Sequence, residues 1–578
     1  QKPRARVRKR RGSRTRTQNL VHATRTLHLH TLSNGDDPLM AEKETQIQKM
    51  KRLCDKREGI RNICTSAHIH HGKCVAPHTT LHLTDGTLIT AEQLHSQAQL
   101  IGTKVRDDEH ETVYDVTGKG ITVFSLNKET GRIEKKEVSH SWKLAGGTAT
   151  KIKLRTGTEI TTTPEHKYIV LEDMDFKEKE SRELKLHDRI VCARKTEVEP
   201  SKNMKEEILT ILSRHKCYAQ LHPLKGKQLL AQVQQRGITS IAQALNTKKN
   251  SLYHGLWKNR CRTDHLLTLS QLLSLPLTTI YDSINTISFR TTTKNTKPIL
   301  LPNNFEQFFT LAGLLFGDGS GHKFIVGKEE LAQQFANACS SLGIRAVRRV
   351  NGPRTPELHA NKTLHLLLHA LFEYPLKQKS HTIKASPFLM QAPNSCVASF
   401  LKAYFDCDGT IETARRAISL TSVSKHMLKD VQSLLLRFGC VSIVQKDTLY
   451  LSGISAQTFM KTVGFSMKEK ITRATTLVEK TQGSIVADTI PFSYKTLSNI
   501  RKVPMASISH HYYKYEQEIY TPTVGTVLAL KQQFSTQSQE TILLDKLTTG
   551  DLAYIEVIGI ESANEPIVYD FSVPEHKN

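Results

Sequence analysis

The spacing of apolar and polar positions changes several times along the chain, and each change marks an element boundary. Residues 1–39 carry almost no apolar periodicity. QKPRARVRKRRGSRTRT is rich in Arg and Lys without a single acid, so it cannot offset the entropy of ordering and is expected to be disordered. Two readings of it stay open: a basic nucleic-acid-binding arm, or upstream sequence ahead of a start at Met40. From Met40, EKETQIQKMKRLCDKREG predicts a charged amphipathic helix running into the apolar IRNICTSAHIHHGK. At Cys74 the pattern switches abruptly to strand-like alternation in CVAPHTTLHLTDGTLITAEQL. It returns in LRTGTEITTTPEHKYIVL and again in DLAYIEVIGIESANEPIVYDFSVPEHKN. Between these lie a mostly helical stretch, about 200–300, and then two similar halves at about 301–475, each an apolar helix followed by a strand-rich basic run.

This pattern predicts a mixed α+β multidomain chain, and 578 residues are too many for one hydrophobic core. The expected divisions are 1–39, 40–73, 74–199, 200–300, 301–475, a connecting segment 476–540, and 541–578. Lys and Arg outnumber Asp and Glu by 81 to 55, a net charge of +26, which implies a polyanionic partner with nucleic acid foremost. The ten cysteines are scattered without a CxxC pair, which argues against a zinc site or a disulfide framework and for a reducing, cytoplasmic setting. No run approaches the roughly 20 apolar residues needed to cross a bilayer, so a soluble chain, expected to be a monomer, is predicted.

Residues 40–73 resemble the first strand and phosphate loop of translational GTPases of the elongation factor 2 type, whose pattern there runs IRN…AHIDHGKTT. In such a loop backbone N–H groups cradle phosphates, the Lys reaches the β and γ phosphates, and a following hydroxyl holds Mg²⁺. The resemblance makes Gly72 and Lys73 the nucleotide-binding residues. Here Cys74 replaces the hydroxyl residue and His70 stands in place of Asp. The uninterrupted host alone is therefore expected to bind GTP and the ribosome. A GTPase fragment carrying a catalytically dead DNA-binding insertion is the alternative reading.

The three alternating segments resemble the splicing blocks of inteins. This implies an all-β, horseshoe-like splicing (Hint) domain divided in sequence by everything between its parts. The chemistry needs a nucleophile that attacks the peptide bond on its own N-terminal side, and the resemblance gives that role to Cys74. Thr163 and His166 form the T-x-x-H constellation, with His166 placed to donate a proton to the scissile amide. Asp570, in VYDFSV, falls in the block associated with coordinating the two cleavages; its bland role is a solvated carboxylate at a strand end. The final His-Asn pair and following nucleophile are not seen, and Asn578 is expected to be internal to a fragment. Such a chain would reach the thioester but not join its flanks.

FFTLAGLLFGDGSG at 308–321 and SFLKAYFDCDGTIE at 399–412 each end an apolar helix in Asp-Gly. Both resemble the LAGLIDADG motif of homing endonucleases, which implies a pseudo-twofold αββαββα domain with a helical insert. Small residues at Ala312, Gly313 and Ala403 would let the two helices pack closely. Asp318 and Asp408 would then meet as catalytic residues and Mg²⁺ ligands, with double-stranded DNA at the intein-free host-gene site as partner. Asp406 reads as a helix-end residue. Lys384, three residues before Pro387, is the candidate active-site lysine. GITSIAQALNTKKNSLYHGLWKNR, within the helical stretch, resembles a helix-turn-helix, with an ordinary basic linker as the competing interpretation.

Overall fold

The computed structural model describes residues 73–172, 175–200, 203–290, 296–350, 355–480, 489–490, 519, 521–532, 539–548 and 551–574. The expectations for 1–72, Gly72 among them, for most of 476–540 and for Asn578 lie outside the described residues.

An eight-stranded, curled antiparallel sheet is built from both ends of the described chain. Its centre is the pairing of β1 (His140–Leu154) with β2 (Leu552–Ser572), in register from Leu154↔Val557 to Ser572↔His140 with one bulge between Val557 and Gly559. Strands Glu111–Asp115 and Thr103–Asp107 extend the sheet beyond β1. Strands Arg189–Ala193, Lys167–Glu172 and Asp175–Glu180 extend it beyond β2, and Glu159–Thr162 pairs with β1 off that path. Strands from 103–193 and 552–572 thus form one sheet although some 350 residues intervene, whereas Thr80–His82 with Leu88–Thr90 and Thr122–Asn127 with Arg132–Glu137 pair as separate two-stranded sheets. Gln539–Thr548, where the second expected all-β part begins, is helical. Helix α1 (Ala91–Ile101) is closed at its start by a capping box. Thr90 Oγ1 accepts from Gln93 N (3.2 Å), and Gln93 Oε1 accepts from Thr90 N (3.1 Å). Leu94 and Ala98 of this helix pack with Tyr114, Val116 and Val138.

The segment 204–300 is mostly helical, as its sequence suggested, but it also contains short strands. Its helices include α2 (Pro223–Gln235), α3 (Ile238–Ala244) and α4 (Lys249–Trp257), accompanied by a four-stranded antiparallel sheet built on Cys217–Leu221 and Ile284–Phe289. These strands are short and their partners distant in sequence, so local periodicity gave little sign of them. The insert shares one continuous apolar core with the elements C-terminal to it, as far as Leu477.

After the insert the chain repeats itself. α5 (Phe305–Asp318) and α6 (Asn394–Asp408) each open an αββαββα sequence of elements. Each half has a four-stranded sheet with the same strand order, first, second, fourth, third. The two opening helices lie against each other through small residues. A Cβ on Gly313 would press on the Phe400 carbonyl oxygen and stand 2.9 Å from Ala403 Cβ, and one on Gly317 would meet Cys407 with its Sγ at 3.0 Å. Gly313→Ala is therefore expected to destabilise this region by about 2–3 kcal/mol, because backbone rather than a flexible side chain must yield. Calorimetry would show the corresponding transition lowered by several degrees.

The repeated region and the curled sheet are joined by specific contacts. Val444 N donates to Thr156 O (2.9 Å), and Gln391 Nε2 donates to Asp85 Oδ2 (2.9 Å) and Thr87 Oγ1 (2.8 Å). Val441 and Ile443 belong to the same apolar cluster as Ile152, Leu154, Val170 and Ile555 of the curled sheet. The repeated region thus helps to cover the sheet.

Candidate functional site

Val75 forms antiparallel bridges with both Tyr569 and Thr162, which pins the start of the described chain between β2 and the 159–162 strand. Val75 N donates to Tyr569 O (2.8 Å) and Tyr569 N to Val75 O (2.9 Å), so the preceding residue, Cys74, is fixed beside Asp570. The Cys74 carbonyl accepts from Thr163 N (3.1 Å) and from Thr163 Oγ1 (3.5 Å). His166 N donates to Thr163 O (3.1 Å), the tight turn that aims the imidazole back at this junction. Tyr168 steadies the ring edge-on, with centroids 4.9 Å apart. Cys74, Thr163, His166 and Asp570 are thereby gathered around the Lys73–Cys74 peptide bond.

The electrostatics around this peptide bond are set by burial. Cys74 is only 4% exposed. Burial, followed by the charges of Asp570 and Glu165, pushes its thiol up to about 12. His166 is lowered by burial, while hydrogen bonding to the Lys73 backbone and the Asp570 charge push the other way. Its Nδ1 is buried and completes no hydrogen bond of good geometry. Burial thus holds both the thiol and the imidazole next to this amide toward their neutral forms. Behind them, buried His95 meets Ser141 Oγ through Nδ1 (2.9 Å) and packs on the Tyr114 and Tyr569 rings, both at 5.4 Å.

A second constellation lies where α5 and α6 end. Burial and then the charge of Asp318 push Asp408 up to about 6, while Lys379 and Lys470 oppose that shift. Lys379 Nζ donates to the carbonyls of Leu315 (3.3 Å), Phe316 (2.9 Å) and Gly317 at the end of α5. Lys470 Nζ does the same at the end of α6, donating to Phe405 (2.9 Å), Asp406 (2.6 Å) and Gly409 (2.6 Å). Burial lowers both ammonium groups, and the Asp318 and Asp408 charges sustain them. Lys384 is placed elsewhere: half exposed, it pairs with Glu373 at 2.9 Å. Asp406 accepts from Ser466 N (3.0 Å) and Ser466 Oγ and from Met467 N (3.4 Å), so it is engaged in holding the segment that carries Lys470.

Residues 103–578 match the family described as intein splicing domain. The chain belongs to the intein splicing family. Inteins are autocatalytic, which fits a centre assembled around a peptide bond of the chain itself. The intein-containing chain is 34% identical over 554 residues to elongation factor 2 of Methanopyrus kandleri, covering 93% of this chain and 43% of that protein. It is 27% identical over 489 residues to a Thermococcus kodakarensis protein named "Probable translation initiation factor IF-2", covering 81% of this chain and 39% of that one. The chain thus spans less than half the length of these curated relatives. The crystal structure of the TvoVMA intein shares 23% identity, with 21% of this chain and 71% of that chain covered and a TM-score of 0.20.

Two groups in this intein escaped sequence reasoning. Lys379 and Lys470 stand 61 and 62 residues after Asp318 and Asp408, and each closes a similar string, Tyr374-Pro-Leu-Lys-Gln-Lys379 and Phe465-Ser-Met-Lys-Glu-Lys470. That repeat was the available signal. Nothing local marks His95, whose burial depends on strands from both ends of the sheet.

Proposed function

We propose that this chain is a splicing precursor whose N-terminal junction is the Lys73–Cys74 bond, interrupting the phosphate loop of an elongation factor 2-type host. We further infer that residues 301–475 are a LAGLIDADG nuclease that cuts double-stranded DNA at the uninterrupted host-gene site. The observation that carries the splicing reading is the convergence on one amide of Cys74, the Thr163 clamp and the His166 ring. In the first step Cys74 Sγ attacks the Lys73 carbonyl carbon. The C–N bond breaks, the Cys74 nitrogen leaves as an amine protonated through His166, and the thiol proton balances that transfer. Thr163 fixes the Cys74 carbonyl, so the nitrogen departs from a held backbone. The IRNICTSAHIHHGK segment before Cys74 and the similarity to elongation factor 2 support the host assignment. GTP and ribosome binding would belong to the ligated host.

For the nuclease, the paired ends of α5 and α6 supply two carboxylates, of which Asp408 is raised by burial and then by the Asp318 charge, a donor set that suits a divalent cation. No cluster of three or more His, Cys, Asp or Glu side chains that could hold a metal occurs among the described residues. Two carboxylates fit Mg²⁺, which keeps several waters and shares its sphere with phosphate oxygens. Asp318 and Asp408 would hold it, and bound there it would supply Lewis-acid activation of water and charge neutralisation at phosphorus. Lys379 and Lys470 hold the helix ends, and with them the two carboxylates, in fixed positions.

Incubation with a strong thiol is expected to release a fragment beginning at Cys74; an uncut chain would overturn the splicing reading. Duplex DNA spanning the uninterrupted phosphate-loop codons should be cut in Mg²⁺ or Mn²⁺ by the parent and not by Asp318→Ala. Intact DNA in both metals would overturn the nuclease reading.

A further inference from the structure

The helical insert carries a surface that neither the splicing centre nor the α5–α6 centre uses. Between Glu207 and Asp264 the sequence contains no acidic residue, yet Lys and Arg recur throughout it. The structure folds the middle of this stretch into the three-helix unit α2–α3–α4, closed by Leu229, Val233, Ile241, Leu245, Leu252 and Leu256. Two sharp turns set the helix directions. Gly237 turns α2 into α3 at φ 97°, and Asn246 turns α3 into α4 at φ 47°. The second turn, four residues between short helices, has the length of a helix-turn-helix connection. A Cβ on Gly226 would stand 3.0 Å from Asn259 Cγ, so α2 is seated tightly against the end of α4.

Burying Leu252 and Leu256 leaves the other face of α4 in solvent. Lys248, Lys249, Asn250, His254, Trp257 and Lys258 are all exposed. None of the three lysines forms an ion pair among the described residues. Trp257 is 61% exposed and stacks on Tyr253 with an interplanar angle of 12°. An uncovered indole beside unpaired lysines and short hydrogen-bonding side chains, on a stretch without acids, is complementary to nucleic acid. The insert is also anchored: Leu300 N donates to Leu342 O (2.9 Å), and Thr363 Oγ1 donates to Lys297 O, so α4 is carried on the first half of the repeated region.

The geometry points to α4 as the recognition helix of a second, duplex-DNA-binding surface, with Asn250 and His254 facing base edges and Lys248, Lys249 and Lys258 on flanking phosphates. Duplex DNA is favoured over RNA because a single helix enters the B-form major groove, about 12 Å wide, whereas the A-form major groove is too narrow for it. The nuclease reading supplies only the choice of target sequence.

The test uses the intact chain without divalent metal or thiol, and a duplex running several helical turns beyond the uninterrupted phosphate-loop codons on both sides. Lys248→Ala/Lys249→Ala is expected to lower the slope of log affinity against log salt by about 2, since each phosphate contact contributes roughly 0.9. It should also shorten the DNase I footprint on one side. Asn250→Ala/His254→Ala should cut the preference for this duplex over a scrambled one by about tenfold. Unchanged slope, footprint and preference in variants that melt like the parent would overturn the proposal, and so would stronger binding of a hairpin RNA than of the duplex. The two readings separate cleanly. A chain that shows the altered footprint but cuts DNA in no metal loses only the nuclease, and one that cuts while its footprint ignores the α4 variants loses only this surface.

Discussion

Cleavage at Lys73–Cys74, followed with trapping nucleophile at saturation, is expected to proceed at nearly one rate from about pH 7 to 9, although its nucleophile titrates far above that range. Cys74 is pushed up to about 12 by burial, Asp570 and Glu165. At neutral pH only roughly one thiol in 10⁵ would be thiolate. His166 is lowered below its ordinary 6.5 by burial, so it is mostly neutral there. The reacting arrangement needs the thiol proton removed and the departing nitrogen protonated. Each pH unit of increase multiplies the thiolate tenfold and divides the imidazolium tenfold, so their product does not change between the two pKa values. Its net proton count is that of neutral thiol plus neutral imidazole, the dominant form across this window. Below the His166 pKa an extra proton accumulates and the rate falls. His166→Gln removes the compensation. Its rate should drop by about 10² to 10⁴ and then climb tenfold per pH unit. Cys74→Ala should give no cleavage at any pH. A parent enzyme whose rate itself climbs tenfold per unit would show that His166 does not move the proton.

How much of this centre was visible beforehand depended on whether each residue acts locally. Cys74, Thr163, His166 and Asp570 sit in short strand-like segments, and the structure places them together because Val75 bridges to both Thr162 and Tyr569. Asp318 and Asp408 were legible for a similar reason: each ends an apolar helix whose small residues demand a close partner. The lysines were not. Against 81 Lys and Arg, the resemblance of the segment before Pro387 to the family's lysine-bearing segment pointed to Lys384, which pairs with Glu373, while Lys379, five residues earlier, reaches the carbonyls of α5. Only the tertiary fold decides which of two neighbouring lysines points inward. The strands of the insert and the covering of the curled sheet by Val441 and Ile443 were hidden for the same reason, since neither is specified by the periodicity of its own segment.

Asp408→Asn is expected to abolish DNA cleavage and, at the same time, to make the metal-free repeated region more stable. Burial and Asp318 raise the Asp408 carboxyl from 3.8 to about 6. A carboxyl raised on folding binds more protons in the native than in the unfolded state between those values, so stability declines as pH rises through that window. Below pH 4 the group is protonated in both states and costs nothing. Above about pH 6 the full penalty applies, and a rise of that size costs at most about 3 kcal/mol. Asparagine keeps the shape and has no charge to bury, so the variant should melt higher than the parent near pH 7.5, with the difference vanishing near pH 4. Added Mg²⁺ should raise the parent's transition by favouring the ionised pair and leave the variant nearly unmoved. A variant that melts lower than the parent at neutral pH would mean that the Lys379 and Lys470 ammonium groups already neutralise Asp408. The carboxylate pair would then have no unmet need for a cation. A variant that melts higher, does not cut DNA and does not respond to Mg²⁺ would instead tie the instability of this site directly to its chemistry, because the charge that weakens the fold is the charge that would hold the metal.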